Sequence, residues 1–191
     1  LQGLRDEGQI RSGQRVLING AAGGVGTFAV QIAKAFGADV TGVCSTRNVE
    51  MVRSIGADRV VDYTREDFTR SGQRYDLILD AVGNHSLSAC RRVLNPTGRY
   101  VAVGGQSSRW MIGFLARVLA APVLSRFVSQ RFSIVMTKPS QEDLAAVRDL
   151  MAAGKVTPVI DRRYRLSEAP EAIRYLEEGH ARGKVVITVG T

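Results

Sequence analysis

The sequence predicts an α/β fold, a doubly wound parallel sheet with helices on both faces. Three observations predict it. Apolar runs of strand length alternate with stretches whose apolar residues recur every three or four positions. The first such run stops at a cluster of glycines and gives way at once to a helical pattern. Turn signals separate the units: Gly37, Gly56 and Asn95-Pro96-Thr97-Gly98. Strands joined through helices require right-handed crossovers, and these cover both faces of a parallel sheet.

Each element has a local reason. Residues 1–12 read as the end of a helix and a connection, with Gly13 at a turn. Residues 15–19 form the first strand. Val25, Phe28, Ala29, Ile32, Ala33 and Phe36 then share one helical face, and Gly37 ends that helix. Residues 39–44 are a second strand, 48–55 a short helix stopped by Gly56, 59–62 a third strand and 75–81 a fourth. Residues 86–94 are helical, and 99–103 are a fifth strand closing on Gly104. Residues 110–128 are apolar-rich but carry Arg117, Pro122 and Arg126. Residues 132–136 are a short strand. Ser140 caps a helix striped by Leu144, Val147, Leu150 and Met151, and Gly154 ends it. Residues 159–164 are strand-like. Ser167 is expected to cap a helix through Ala172, Ile173 and Leu176, and residues 184–189 are the last strand.

Composition narrows the class. At 191 residues, 45% hydrophobic and 23% charged, the chain is ordinary globular material with room for a sizeable core. No signal peptide and no apolar run of spanning length is read from it. Cys44 and Cys90 lack metal-ligand spacing and are read as reduced thiols of a cytoplasmic protein. The net charge of +8 sits in one segment: residues 81–141 hold eight Arg and Lys and no acid. That segment suits an anionic ligand, an acidic partner surface or anionic lipid, or is simply a solvated face. No nucleic-acid reader motif occurs in it, so nucleic acid is not an expected partner. Packing within the protein or across a homodimer is favoured for residues 110–128 over membrane contact.

The stretch Val16-Leu-Ile-Asn19-Gly20-Ala-Ala-Gly23-Gly24-Val25-Gly26 carries the chemistry. Its glycines are spaced Gly-x-x-Gly-x-x-Gly between a strand and a helix. Gly23 and Gly26 are expected to let the backbone turn sharply and a diphosphate come close. The unpaired N–H groups of the first helical turn then bind the anion. A dinucleotide is the expected ligand. About 20 residues further on, an acid usually holds the adenosine ribose hydroxyls. Here that place reads Cys44-Ser45-Thr46-Arg47-Asn48, with no Asp or Glu between Asp39 and Glu50. Arg47 supplies a planar charged donor and Ser45 and Thr46 supply hydroxyls, so NADP(H) is expected over NAD(H).

The glycine stretch through Lys34 resembles the cofactor motif of the medium-chain dehydrogenases/reductases. Ser54-Ile-Gly-Ala-Asp-Arg-Val-Val-Asp-Tyr63, Asp80-Ala-Val-Gly83, Gly98-Arg-Tyr-Val-Ala-Val-Gly104 and Gly183-Lys-Val-Val-Ile187 follow in the family's order. The nearest resemblance is to the zinc-independent quinone oxidoreductase branch, including its reticulon-interacting type. It implies a Rossmann-type fold. Gly20, Gly23, Gly24, Val25 and Gly26 would line the diphosphate. Ser45, Thr46, Arg47 and Tyr63 would lie near the 2′-phosphate, and Val82 and Gly83 would flank the cofactor. Val103 and Gly104 would approach the nicotinamide ribose, and Phe132 and Ile134 the nicotinamide amide. Residues 1–155 would be the NADP(H)-binding domain. Residues 156–191 would pack on a GroES-like domain that this sequence does not contain, so the chain is expected to be a fragment, poorly active alone.

The implied activity is zinc-independent reduction of a small quinone, enone or carbonyl compound with NADPH. The nicotinamide carries hydride transfer, and the protein binds and orients it. No catalytic residue is assigned and no metal site is expected: His85 and His180 stand alone. A non-catalytic NADPH-binding sensor or scaffold module is the alternative, since the glycine turn serves both.

Overall fold

The computed structural model describes residues 1–104, 129–179 and 181–189. Residues 110–128, expected at a packing or dimer surface, lie outside them, as does His180. A short π-helical turn, Gly3–Glu7, precedes the first strand. Then follow β1 (Arg15–Asn19), α1 (Gly26–Ala35), β2 (Asp39–Cys44), α2 (Val49–Ser54), β3 (Arg59–Asp62), β4 (Tyr75–Asp80), α3 (Leu87–Arg92), β5 (Leu94–Ala102) and β6 (Arg131–Ile134). Beyond them come α4 (Gln141–Ala152), β7 (Ile160–Arg165), α5 (Ala169–Glu177) and β8 (Lys184–Thr188).

β1 to β6 form one sheet in the order β3-β2-β1-β4-β5-β6, every pair parallel. The chain order reverses direction between β1 and β4. In open parallel sheets that reversal opens a crevice at the C-terminal strand ends.

Residue alternation along the strands divides the core in two. Val16 and Ile18 of β1, Leu77 and Leu79 of β4 and Val101 of β5 face the first layer, with Val30, Ala33 and Val52 from α1 and α2. Leu17, Ile78, Tyr100 and Ala102 face the second, with Phe68, Cys90 and Leu94. Each buried Leu, Ile or Val contributes about 1.5–3 kcal/mol over leaving it exposed. A strand of such residues is stable only with helices on both sides, which is why a continuous apolar run stands for a central parallel strand.

Two local expectations are corrected. β5 begins at Leu94 rather than residue 99. Tyr75 pairs with Leu94 and then Leu77 with Arg99, so Asn95-Pro96-Thr97-Gly98 is a bulge inside the strand. Ser167 does not cap a helix. It lies inside the 3-10 turn Leu166–Glu168, where the Glu168 carboxylate accepts from the Arg165 N–H at 2.7 Å, and α5 starts at Ala169 with Pro170 in its first turn. Ser140 does cap α4, its hydroxyl accepting from the Asp143 N–H at 3.2 Å.

β7 and β8 form a separate two-stranded parallel sheet. Val156 is buried in the first core layer. The Gln31 side chain on α1 grips Thr157 at both its N–H and its C=O, at 2.7 and 2.9 Å. The Gly183 N–H donates to the Ala22 carbonyl at 2.9 Å. The C-terminal segment is thereby sewn onto the glycine-rich loop.

Gly42 in β2 shows how tightly the first layer closes. A Cβ there would lie 2.5 Å from Val52 Cγ1 and 3.1 Å from Ala21 Cβ. Gly42→Ala is expected to lower stability by about 1–3 kcal/mol through overpacking, measured as a lowered midpoint in urea with an unchanged slope.

Candidate cofactor-binding site

The site grows from the C-terminal ends of β1 and β4. Gly20 follows β1 with φ +86°, a conformation open to glycine and strained for other residues. The sharp turn expected at Gly23 and Gly26 is therefore made at Gly20. Gly26 serves close approach: a Cβ there would overlap the Gly20 carbonyl oxygen. Gly23 meets only that oxygen, at 3.4 Å, and its side-chain position is otherwise open. The Gly24 and Val25 N–H groups take no backbone acceptor among the described residues. They stand at the N-terminus of α1, where the helix dipole favours negative charge. This cradle fits a diphosphate: two unspent donors, a positive helix end, and room that a side chain would fill.

A base joins the cradle from far along the chain. Lys184 Nζ lies 3.3 Å from where a Cβ of Gly24 would stand, with the Gly183 carbonyl oxygen at 3.1 Å. The same ammonium sits 5.6 Å from the Phe28 ring centroid. Gly24 thus makes room for the C-terminal segment, which delivers a cation to the loop. Sequence reasoning missed Lys184 as a site residue. Its signal was the Gly183-Lys184 pair, read as the start of a strand and as part of a family-matching segment but not as a cofactor contact.

Beneath the turn lies a buried polar cluster. The Asp80 carboxylate is 2% exposed. It accepts from Asn19 Nδ2 at 2.8 Å, the Val82 N–H at 3.0 Å, the Gly83 N–H at 2.7 Å and the Tyr100 hydroxyl at 2.6 Å. The second Asn19 Nδ2 hydrogen goes to Asn84 at 2.9 Å. This cluster bends the chain after β4, and Val82 comes to rest 2.7 Å from where a Cβ on Gly20 would be. Val82, Val25 and Tyr63 are left exposed at the strand ends, large apolar side chains with water on one side. Val103 is half-buried and Gly104 exposed with φ +73°.

The residues expected at the adenosine end lie at the C-terminal ends of β2 and β3. Ser45 is half-buried, and Thr46 and Arg47 are exposed on the 3-10 turn Thr46–Asn48. Cys44 and Asp62 are register partners. Burial pushes the Cys44 thiol up to about 11, and the neighbouring Asp62 charge adds to the effect, so this thiol stays protonated and inert. The Thr46 hydroxyl, expected to face the cofactor, is committed to Asp62 at 2.5 Å. Asp62 also takes the Thr64 N–H at 3.0 Å and the Thr64 hydroxyl at 2.7 Å, with Arg65 at 3.6 Å. The Thr46 hydrogen bond leads in holding the Asp62 carboxyl below its ordinary value.

At the other wall, Phe132 is a core residue whose ring packs 5.8 Å from Tyr100, and Ile134 is partly buried on the same layer. The structure brings residues 20–26, Val82 and Gly83 together around the crevice. Phe132 is not brought into it.

Two predictions follow from these contacts. Tyr100→Phe removes one donor from a buried carboxylate and is expected to cost about 1–3 kcal/mol in chemical denaturation. Asp62 is depressed in the folded state, so its stabilisation is complete above the unfolded carboxyl pKa and is lost as pH falls through the folded value. Thermal midpoints of Asp62→Asn are therefore expected to fall less steeply than wild type on acidification from neutral pH to below the ordinary carboxyl range.

Comparison with known proteins places this geometry. A family model described as zinc-binding dehydrogenase matches residues 55–187. Among the described residues no three or more His, Cys, Asp or Glu converge on one point, so these residues do not fit a zinc site. The chain is 39% identical to the mouse mitochondrial NAD(P)H oxidoreductase RTN4IP1, over 93% of this chain and 48% of that protein. It is 32% identical to the chloroplast envelope quinone oxidoreductase homolog of Arabidopsis thaliana, over 90% of this chain and 51% of that protein. The quinone oxidoreductase from Coxiella burnetii superposes with a TM-score of 0.82 at 30% identity, over 99% of this chain and 56% of that one. The chain thus spans about half the length of the relatives it matches. The mouse, zebrafish, bovine and human RTN4IP1 relatives are mitochondrial, which overturns the cytoplasmic expectation: buried reduced thiols do not distinguish one reducing compartment from another. With the parallel six-stranded sheet and glycine cradle in place, the chain belongs to the zinc-binding dehydrogenase family, within the medium-chain dehydrogenases/reductases.

Proposed function

We propose that the chain binds NADP(H) in preference to NAD(H) and serves reduction of a small quinone, enone or carbonyl compound. The observation that carries this reading is the cradle of residues 20–26 at the strand-order reversal. When bound, the nicotinamide supplies the reducing chemistry. The chain's own residues do the holding. Gly24 and Val25 N–H groups and the Lys184 ammonium meet the diphosphate. Val82 and Gly83, fixed by Asp80, wall the cofactor beyond it, and Val103 and Gly104 border the nicotinamide ribose.

Preference for the phosphorylated cofactor is supported at the adenosine end. The carboxylate at the end of β3, Asp62, already accepts three hydrogen bonds from Thr46 and Thr64, which makes it a poor acceptor for ribose hydroxyls. Arg47 stands exposed on the adjoining turn and offers a charged planar donor to a phosphate. Tyr63, 59% exposed, follows β3 with its N–H on the Cys44 carbonyl at 3.0 Å and is read near the same 2′-phosphate.

Residues 156–191 are read as a unit that packs on a second domain outside this chain. Ile173 and Leu176, one helical turn apart, are 55% and 49% exposed on α5, with Leu166 59% exposed just before it. A homodimer is read at the β6 edge, where the six-stranded sheet has no further neighbour among the described residues. That reading fails if light scattering finds only monomer.

Fluorescence titration of the full-length protein with NADPH and NADH tests the cofactor. NADPH is expected to bind more tightly, by about 10- to 100-fold for one charge-assisted phosphate contact. Arg47→Ala is expected to erase most of that margin while leaving NADH affinity in place. Lys184→Ala is expected to weaken both nucleotides alike. Equal affinity of the wild type for the two removes the phosphate reading, and binding of neither removes the cofactor reading.

A further inference from the structure

We propose that Asn48 is a specificity-determining residue of this pocket: its side-chain amide fixes the Ser45 hydroxyl as a hydrogen-bond donor toward the cofactor's 2′-phosphate. The inference rests on the NADP(H) reading above and adds a residue that does not itself touch the ligand.

Asn48 stands at the N-cap of α2, a position where asparagine ordinarily accepts from a backbone N–H of the first turn. It makes no such bond; its backbone is helical, φ −109° and ψ −2°. Its side chain turns back instead, and Nδ2 donates to Ser45 Oγ at 3.1 Å, while the Asn48 N–H donates to the Ser45 carbonyl at 2.9 Å. The residue is 7% exposed. Its Oδ1 is buried without a hydrogen-bond partner, the one such side-chain atom among the described residues. A buried orphan carbonyl at a place where capping was available is a local loss of stability. Departures of this kind from local consistency concentrate at functional sites.

The gain is the state of Ser45. A serine hydroxyl has one hydrogen and two lone pairs. An amide N–H on one lone pair turns the hydroxyl hydrogen away from Asn48. Ser45 is half-buried beside exposed Arg47, so that hydrogen is offered on the cofactor side. A phosphate is all acceptors and takes such a donor well. A ribose 2′-hydroxyl gains less, because it also brings a hydrogen that needs an acceptor. The opposite arrangement, with an acceptor at residue 48, draws the serine hydrogen inward and presents only lone pairs to the phosphate. Asn48→Asp imposes that arrangement and adds a negative charge.

The test is a set of NADPH and NADH dissociation constants on the full-length protein, with thermal midpoints, for wild type, Ser45→Ala, Asn48→Ala, Asn48→Asp and the Ser45→Ala/Asn48→Ala double variant. Asn48→Ala is expected to cut the NADPH preference by about five- to tenfold, as Ser45→Ala does, the size of one hydrogen bond. Its thermal midpoint is expected to stay level or rise, because the orphan oxygen is gone. Asn48→Asp is expected to cut the preference further, and the double variant to match Ser45→Ala alone. Unchanged preference in Asn48→Ala, or additive losses in the double variant, overturns the proposal while leaving the cofactor reading intact. A wild type without NADPH preference overturns both, and it does so before any variant is compared.

Discussion

Everything at the open end of the sheet depends on one buried carboxylate. Asp80 ends β4 at its register partner Asn19, the last residue of β1. It gathers donors from β1, from β5 and from the loop it precedes. A carboxylate taken out of water must be matched by donors or it is strongly destabilising. Here the matching donors belong to the two neighbouring strands and a turn, so satisfying the charge fixes their positions relative to β4. The Val82 and Gly83 N–H groups are drawn inward, which sets Val82 against Gly20. The glycine turn therefore has its shape defined from below before any ligand arrives.

The four glycines of the loop divide the remaining work. Gly20 supplies the turn, Gly26 lets α1 approach the Gly20 carbonyl, and Gly23 leaves open space. Gly24 yields its side-chain volume to Gly183 and Lys184. This last contact joins the cofactor loop to residues 160 positions away, through a backbone hydrogen bond from Gly183 to Ala22 and the Gln31 grip on Thr157. Ligand binding at the loop and docking of the C-terminal segment consequently share atoms. A change that loosens β8 also moves a positive charge away from the glycine cradle.

The sheet was legible in the sequence because its signals are local. Val16 to Ile18 and Leu77 to Leu79 are apolar on both faces, which only a central strand between two helical layers tolerates. The glycine spacing and the want of an acid after β2 are likewise short-range patterns. What escaped was long-range. Asp80 reads as the end of a strand, and nothing nearby tells that Tyr100 and Asn19 will meet it. Lys184 reads as the first residue of a strand. Thr46 looked like a free hydroxyl because its partner, Asp62, lies on a different strand. Phe132 was assigned by resemblance to a cofactor segment, but β6 pairs with β5 so that Phe132 stands beside Tyr100, and apolar burial claims the ring. Ser167 has the chemistry of a cap, yet Glu168 reaches the Arg165 N–H first and moves the helix start.

A carboxylate beside the residues proposed to meet the 2′-phosphate looks contrary to that proposal, and the geometry of Asp62 answers the objection. Its charge cannot be removed at neutral pH, because the hydrogen bonds that hold it also keep its pKa low. Its field, however, is spent locally. Two threonine hydroxyls and a backbone N–H are polarised toward it, and Arg65 stands within ion-pair distance. A committed acid of this kind repels a phosphate far less than one with bare lone pairs facing the pocket, since each matched donor brings partial positive charge between them. The same commitment leaves Asp62 little acceptor capacity for ribose hydroxyls. On the proposed NADP(H) reading, Asp62 thus repels the phosphate less than an uncommitted acid would and is a poorer acceptor for ribose hydroxyls, and the turn it pins, Thr46–Asn48, is the turn that carries Arg47.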